Sequence, residues 1–111
     1  MIMMAESTAI LFDHRKQMVR PVLFDGELDT LRSLLKVEYV DTIRLDGEHV
    51  VFVDDEGLLS ETKTGFEISY KGKKIKFAGS GLLTGDSYGQ NASVTLNLPE
   101  LEISVLQFHY E

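Results

Sequence analysis

The chain has 111 residues, of which 26% are charged and 43% hydrophobic, with a formal net charge of −7 and no cysteine. That size and balance describe one small globular domain (residues 1–111) with a thin core, which a dimer interface would usefully thicken. The missing cysteines exclude disulfides and thiolate metal sites, and no apolar run approaches the roughly 18 residues of a membrane span.

Charge is unevenly spread. Residues 25–61 hold eleven Asp/Glu against three Lys/Arg, whereas residues 62–78 hold five Lys against one Glu. An acidic total argues against general nucleic-acid binding, because phosphate contacts need cations. The opening Met1-Ile2-Met3-Met4 is apolar, but Glu6 interrupts it where a secretory signal would still need its hydrophobic region. The expectation is a cytoplasmic protein with a flexible N-terminus over residues 1–7.

In chain order, Thr8 to Asp13 and Met18 to Phe24 read as two strands of a hairpin around His14-Arg15-Lys16-Gln17. Pro21 marks the second as an edge strand, since proline cannot donate to a ladder. A helix is expected over about residues 26–37. Asp25 is its candidate N-cap, and Leu28, Leu31, Leu34 and Leu35 form one apolar stripe. Asp29 near its start and Arg32 and Lys36 toward its end complement the helix dipole.

Val40 to Leu45 and His49 to Val53 follow as strands, with Asp46-Gly47 suited to a type I′ turn. Asp54-Asp55-Glu56-Gly57 reads as a further turn. Phe66 to Tyr70 and Lys74 to Phe77 form a hairpin around Lys71-Gly72-Lys73, and Gly79 to Ala92 reads as a long polar loop. Val94, Leu96 and Leu98 alternate as a strand, then Leu101, Ile103 and Val105. A phase shift at Leu106 suggests a β-bulge. The fold class expected is α+β: a mostly antiparallel sheet built from hairpins, with one main helix packed on one face.

Leu28-Asp29-Thr30-Leu31-Arg32-Ser33-Leu34-Leu35, then Val40-Asp41-Thr42-Ile43-Arg44-Leu45, then His49 to Leu58 follow an order with a known parallel. The chain resembles a family of small domains of unknown function encoded by bacteriophages, plasmids and related mobile elements. The resemblance covers roughly residues 8–60, with Lys74 to Gly85 as a weaker continuation. Family members continue with an Asn-rich segment and end in a helix, where this chain has Glu61-Thr62-Lys63-Thr64-Gly65 and a strand-like C-terminus. The resemblance implies an accessory protein and brings no catalytic residues.

Candidate sites are few. The acidic turn Asp54, Asp55 and Glu56 is a candidate partner-binding surface; three consecutive acids fall short of the ligand set of a calcium loop. Lys71, Lys73, Lys74 and Lys76 form a basic hairpin that could grip a phosphate, with Tyr70 and Phe77 offered for stacking. The glycine loop lacks the Gly-Lys-Ser/Thr ending of a P-loop, and Asp86 after Gly85 would repel a phosphate. His14, His49 and His109 show no zinc spacing, and no Gly-x-Ser-x-Gly elbow is present. A Ser/His/Asp set could still be assembled by folding.

The residues argue for an interaction role rather than for an enzyme, without cofactor or metal and with a homo-oligomer open, and the resemblance implies that the partner is a host or phage protein. Two alternatives stand beside it: a small-ligand or nucleotide-sequestering protein using the basic hairpin and glycine loop, and an acidic DNA mimic. If neither charged region binds, exposed aromatics such as Tyr88 or Phe108 are the next candidates.

Overall fold

The computed structural model describes residues 7–55, 64–96 and 98–107. Among the described residues, nine strands and one short α-helix, with a 3-10 turn at Leu98–Glu100, run in the order β1 Ser7–Asp13, β2 Met18–Phe24, α1 Leu28–Leu35, β3 Val40–Asp46, β4 His49–Asp54, β5 Thr64–Tyr70, β6 Lys73–Ala78, β7 Gly81–Ser87, β8 Gln90–Ala92 and β9 Leu101–Gln107. Every pairing is antiparallel. The larger sheet has the order β2-β1-β7-β4-β3, with β8 paired to β7, and a second sheet has the order β6-β5-β9. The fold is α+β, mostly antiparallel sheet with one short helix.

Alternation along the central strands divides the core. Phe12, Val51, Val53 and Leu83 join Phe66, Ile68, Ile75 and Phe77 of the second sheet in one cluster. The intervening Ala9, Leu11 and Leu82 join Phe24 and the helical Leu31 and Leu35 in another. Strand periodicity of two sends neighbouring residues to opposite faces, so the larger sheet is apolar on both. Phe12 stands edge-on to Phe66 and Phe77, with centroids 5.4 and 5.9 Å away.

The opening hairpin, the β3–β4 pair and the β5–β6 hairpin fall where the sequence places them, and β2 with its Pro21 is an edge strand. Several expectations are corrected. The Gly79–Ala92 stretch is not a loop: Gly81–Ser87 forms β7, in the middle of the larger sheet. Its glycines are there for close packing. A Cβ on Gly81 would lie 2.7 Å from the Phe77 ring, and one on Gly85 would lie 2.8 Å from the Ala92 carbonyl oxygen. Val94 to Leu96 is irregular rather than a strand, and β9 keeps register with β5 from Leu101 to Gln107 without a bulge.

The helix is shorter than the periodicity suggests, and Glu27, not Asp25, is its N-cap. Asp25 instead accepts from the Glu27 N–H at 2.9 Å and the Thr30 hydroxyl at 2.8 Å. It thus shapes the approach to the helix. Leu31 and Leu35 are buried, but Leu28 is 48% exposed, so the stripe is narrower than its spacing implies.

The type I′ turn is also elsewhere. Neither Asp46 nor Gly47 takes a positive φ; the turn residues are Gly47 and Glu48, and register shifts between Arg44 and Asp46. Unprimed turns splay the strands they join, and the bulge absorbs the mismatch. Positive φ at both central residues occurs instead at Lys71-Gly72 and Tyr88-Gly89, which close the β5–β6 and β7–β8 hairpins.

Candidate functional site

The β7–β8 hairpin ends in Ser87-Tyr88-Gly89-Gln90, and this tip borders a cleft of about 710 Å³, lined by Arg44, Glu48, Asp86, Tyr88, Ser93 and Thr95 among others. The Asp86 N–H donates to the Glu48 carbonyl at 2.7 Å, fastening β7 to the β3–β4 turn. Arg44 completes the clamp: its guanidinium donates to the Asp86 carboxylate at 2.6 Å and to the Asp46 carbonyl at 3.2 Å. The platform under Tyr88 is therefore held by backbone and charged contacts together.

Tyr88 itself makes little sense as a structural residue. It occupies φ 51° and is 103% exposed. Left-handed backbone costs a residue with a Cβ on the order of 1 kcal/mol, and Asn or Gly would serve this turn better. Neither strain nor exposure is offset by a contact within the described fold.

Behind the cleft lies His49, buried to 2% exposure. The Thr95 N–H donates to its Nε2 at 3.0 Å, which leaves the ring proton on Nδ1, 2.9 Å from Asp46 Oδ1. The Thr95 hydroxyl is 3.3 Å from the same Nε2, completing an Asp–His–Thr set. The Nε2 lone pair is already taken by the Thr95 N–H, so this ring cannot activate the Thr95 hydroxyl. It fastens the irregular 93–96 segment to β4. Burial pushes the Asp46 carboxyl up, but hydrogen bonds from the Glu48 N–H and His49 outweigh it and leave Asp46 below its ordinary value.

The expected sites fall elsewhere. Asp54 ends β4 opposite Val40, and the Asp55 N–H donates to the Tyr39 carbonyl at 3.1 Å; Glu56 lies outside the described residues, as do Phe108 and His109. The lysines of the basic hairpin divide. Lys71 Nζ sits 5.3 Å from the Tyr70 ring centroid, and Lys73 Nζ donates to the Arg44 carbonyl. Lys74 and Lys76 are exposed opposite Ser69 and Glu67. Tyr70 and Phe77 are buried and cannot stack on a base, which corrects that part of the phosphate-site expectation.

His14 links the two sheets: its N–H donates to Ser80 Oγ at 3.1 Å, and its Nδ1 lies 3.1 Å from Thr64 Oγ1. Among the described residues no three His, Asp or Glu side chains gather as a metal-holding group, and no helix is long and apolar enough to cross a membrane. Comparison with protein-family models, curated proteins and solved structures finds no match to this chain.

Sequence reasoning reached Tyr88 only as a reserve candidate. The available signal was Ser-Tyr-Gly-Gln-Asn, the Tyr, Ser, Gly and Asn mixture of adaptable binding loops. The missing piece was that Asp86-Ser87 belongs to a strand, which turns Tyr88-Gly89 into a hairpin tip.

Proposed function

We propose that the protein acts by binding another protein, with Tyr88 as the anchor side chain at the tip of the β7–β8 hairpin. The observation that carries this reading is the exposed, strained tyrosine on a clamped platform. Strain of this kind clusters where it serves a contact, and tyrosine and arginine, which here line one cleft as Tyr88 and Arg44, are both enriched among interface hot spots. The hairpin's short, paired strands limit the entropy lost on binding.

The resemblance to phage and plasmid domains supports a partner of host or phage origin in the cytoplasm. The split of alternate core residues supports α1 covering the face of the larger sheet opposite the β6-β5-β9 sheet.

The test compares immobilised wild type with Tyr88→Asn in capture from host lysate, followed by titration of whatever the wild type retains. The reading expects a specific partner whose affinity falls at least tenfold with Tyr88→Asn, about 1.4 kcal/mol. A partner held equally by both proteins removes Tyr88 from the interface, and repeated failure to retain any partner counts against the whole reading.

A further inference from the structure

Among the described residues, each sheet ends in two strands with a neighbour on one side only: β2 and β3 in the larger, β6 and β9 in the second. An open edge presents unpaired N–H and C=O groups to any extended chain, and proteins guard such edges with proline, lysine or irregularity. Three of these four are guarded. β2 carries Arg20 and Pro21, and the proline has no N–H to offer. β3 shifts register between Arg44 and Asp46, and Lys73 already donates to the Arg44 carbonyl. β6 presents Lys73, Lys74 and Lys76, all exposed.

β9 has none of these guards. Leu101–Gln107 pairs with β5 along its whole length without a register shift. It holds no lysine, arginine or proline, and its one charge is Glu102. Cross-strand partners share a face, so the apolar rows Ile75–Ile68–Ile103 and Phe77–Phe66–Val105 both run out to this edge. Phe66 is fully buried, whereas Val105 at the end of its row is 44% exposed.

We propose that the open edge of β9 pairs antiparallel with β9 of a second copy of this chain, about a two-fold axis at Ser104. Ser104 is the midpoint of the strand, so this register overlaps all of Leu101–Gln107. Backbone groups point to alternate sides along a strand, and a register centred on one residue sets outward-facing groups against outward-facing groups in both copies. It places Ile103 opposite the partner's Val105, so that the apolar rows of one copy continue into those of the other. Glu102 falls opposite the partner's Leu106. The two Glu102 carboxylates are then about 13 Å apart along the strands, beyond the roughly 8 Å over which charges act at physiological salt. The net charge of −7 does not oppose the contact, because residues 64–78 and 98–107 hold four lysines against three glutamates and the acidic excess lies elsewhere. An extended peptide of another protein could use the same backbone row. The second copy is favoured because the strand matches itself in length, apolar rows and charge. Such a contact is isologous and closes at two copies.

Sedimentation velocity over about two decades of protein concentration tests this. Wild type should pass reversibly from monomer to dimer and stop there. Ser104→Lys and Ser104→Glu each set like charges face to face on the axis and should weaken self-association roughly fivefold or more. An equal mixture of the two should pair more tightly than either alone. Val105→Lys gives β9 the guard that β6 has and should also weaken the dimer, and far-UV circular dichroism verifies that every variant is folded. Hydrogen exchange locates the contact: amides on the open side of β9 should be protected in concentrated protein and not in dilute protein. A wild type that stays monomeric or grows past a dimer overturns the proposal. So does a dimer indifferent to the Ser104 charges, or one that leaves exchange in β9 unchanged. None of these substitutions touches the Tyr88 tip, so self-association and partner binding fail or succeed separately.

Discussion

Much of the acidic charge acts locally before it can act on a partner. Asp25 accepts from Glu27 and Thr30, Asp41 from the Thr42 N–H, and Asp46 from Glu48 and His49. These are short-range polar contacts, readable in outline from Asp before a turn or helix. Tyr88 is the opposite case, since its strain becomes visible only once its neighbours are known to be strands. Tyr88→Asn should stabilise the protein by about 0.5–1 kcal/mol in denaturant unfolding, because Asn tolerates left-handed φ and no contact is lost. A loss of stability would show that the ring is structural. Two groups contribute to the pH response in separate ranges. Burial, and next the Arg15 charge, hold His14 below 6.5, against the opposing pull of Asp13 and Asp54. The folded state therefore resists proton uptake: stability is complete above 6.5 and is lost as pH falls through the lowered value. Asp46 adds a second loss, starting below 3.8 and continuing through its lower folded value. His14→Gln should flatten the upper part of the pH–stability profile and Asp46→Asn the lower. A profile unchanged by both would remove these groups as its cause.

At the scale of elements, strands with apolar alternation or a proline were legible, and β7 was not. Gly81, Thr84, Gly85, Asp86 and Ser87 carry every compositional mark of a loop, yet the residues from Gly81 to Gly85 are buried. Small residues are required there because the Phe77 ring and the Ala92 and Ser93 carbonyls crowd the strand, a constraint that exists only after folding. Gly85→Ala should cost roughly 1–3 kcal/mol in chemical denaturation, since its neighbours are backbone atoms that cannot turn aside. If that variant matches wild type, β7 and the 92–93 backbone are not so close. The helix offers a paired check. Leu31→Ala and Leu35→Ala should each cost roughly 2–4 kcal/mol by opening a cavity, while Leu28→Ala should cost less than about 0.5 kcal/mol. Equal effects at Leu28 and Leu35 would mean that the stripe is buried as broadly as its sequence spacing suggests.

Across the whole molecule, β7, like β1, contributes to both clusters. Leu82 faces the cluster containing Leu31 and Leu35, and Leu83 faces the one containing Phe12 and Phe66. Neither cluster can open without uncovering one side of β7, whereas β2 and β3 each have a neighbour on one side only. Backbone amides open with free energies that reflect such dependence, from near zero at frayed edges up to the global value in the core. Hydrogen exchange should therefore be slowest in the paired amides of β7 and the adjacent parts of β1 and β4. It should be faster along β2 and, in dilute protein, along the open side of β9. Leu35→Ala then distinguishes one cooperative unit from two. If the clusters unfold together, that substitution should accelerate exchange in β7 and also in β5, although Leu35 belongs to the other cluster. Acceleration confined to α1, β1 and β2, with β5 unchanged, would show that the second sheet unfolds as a separate unit.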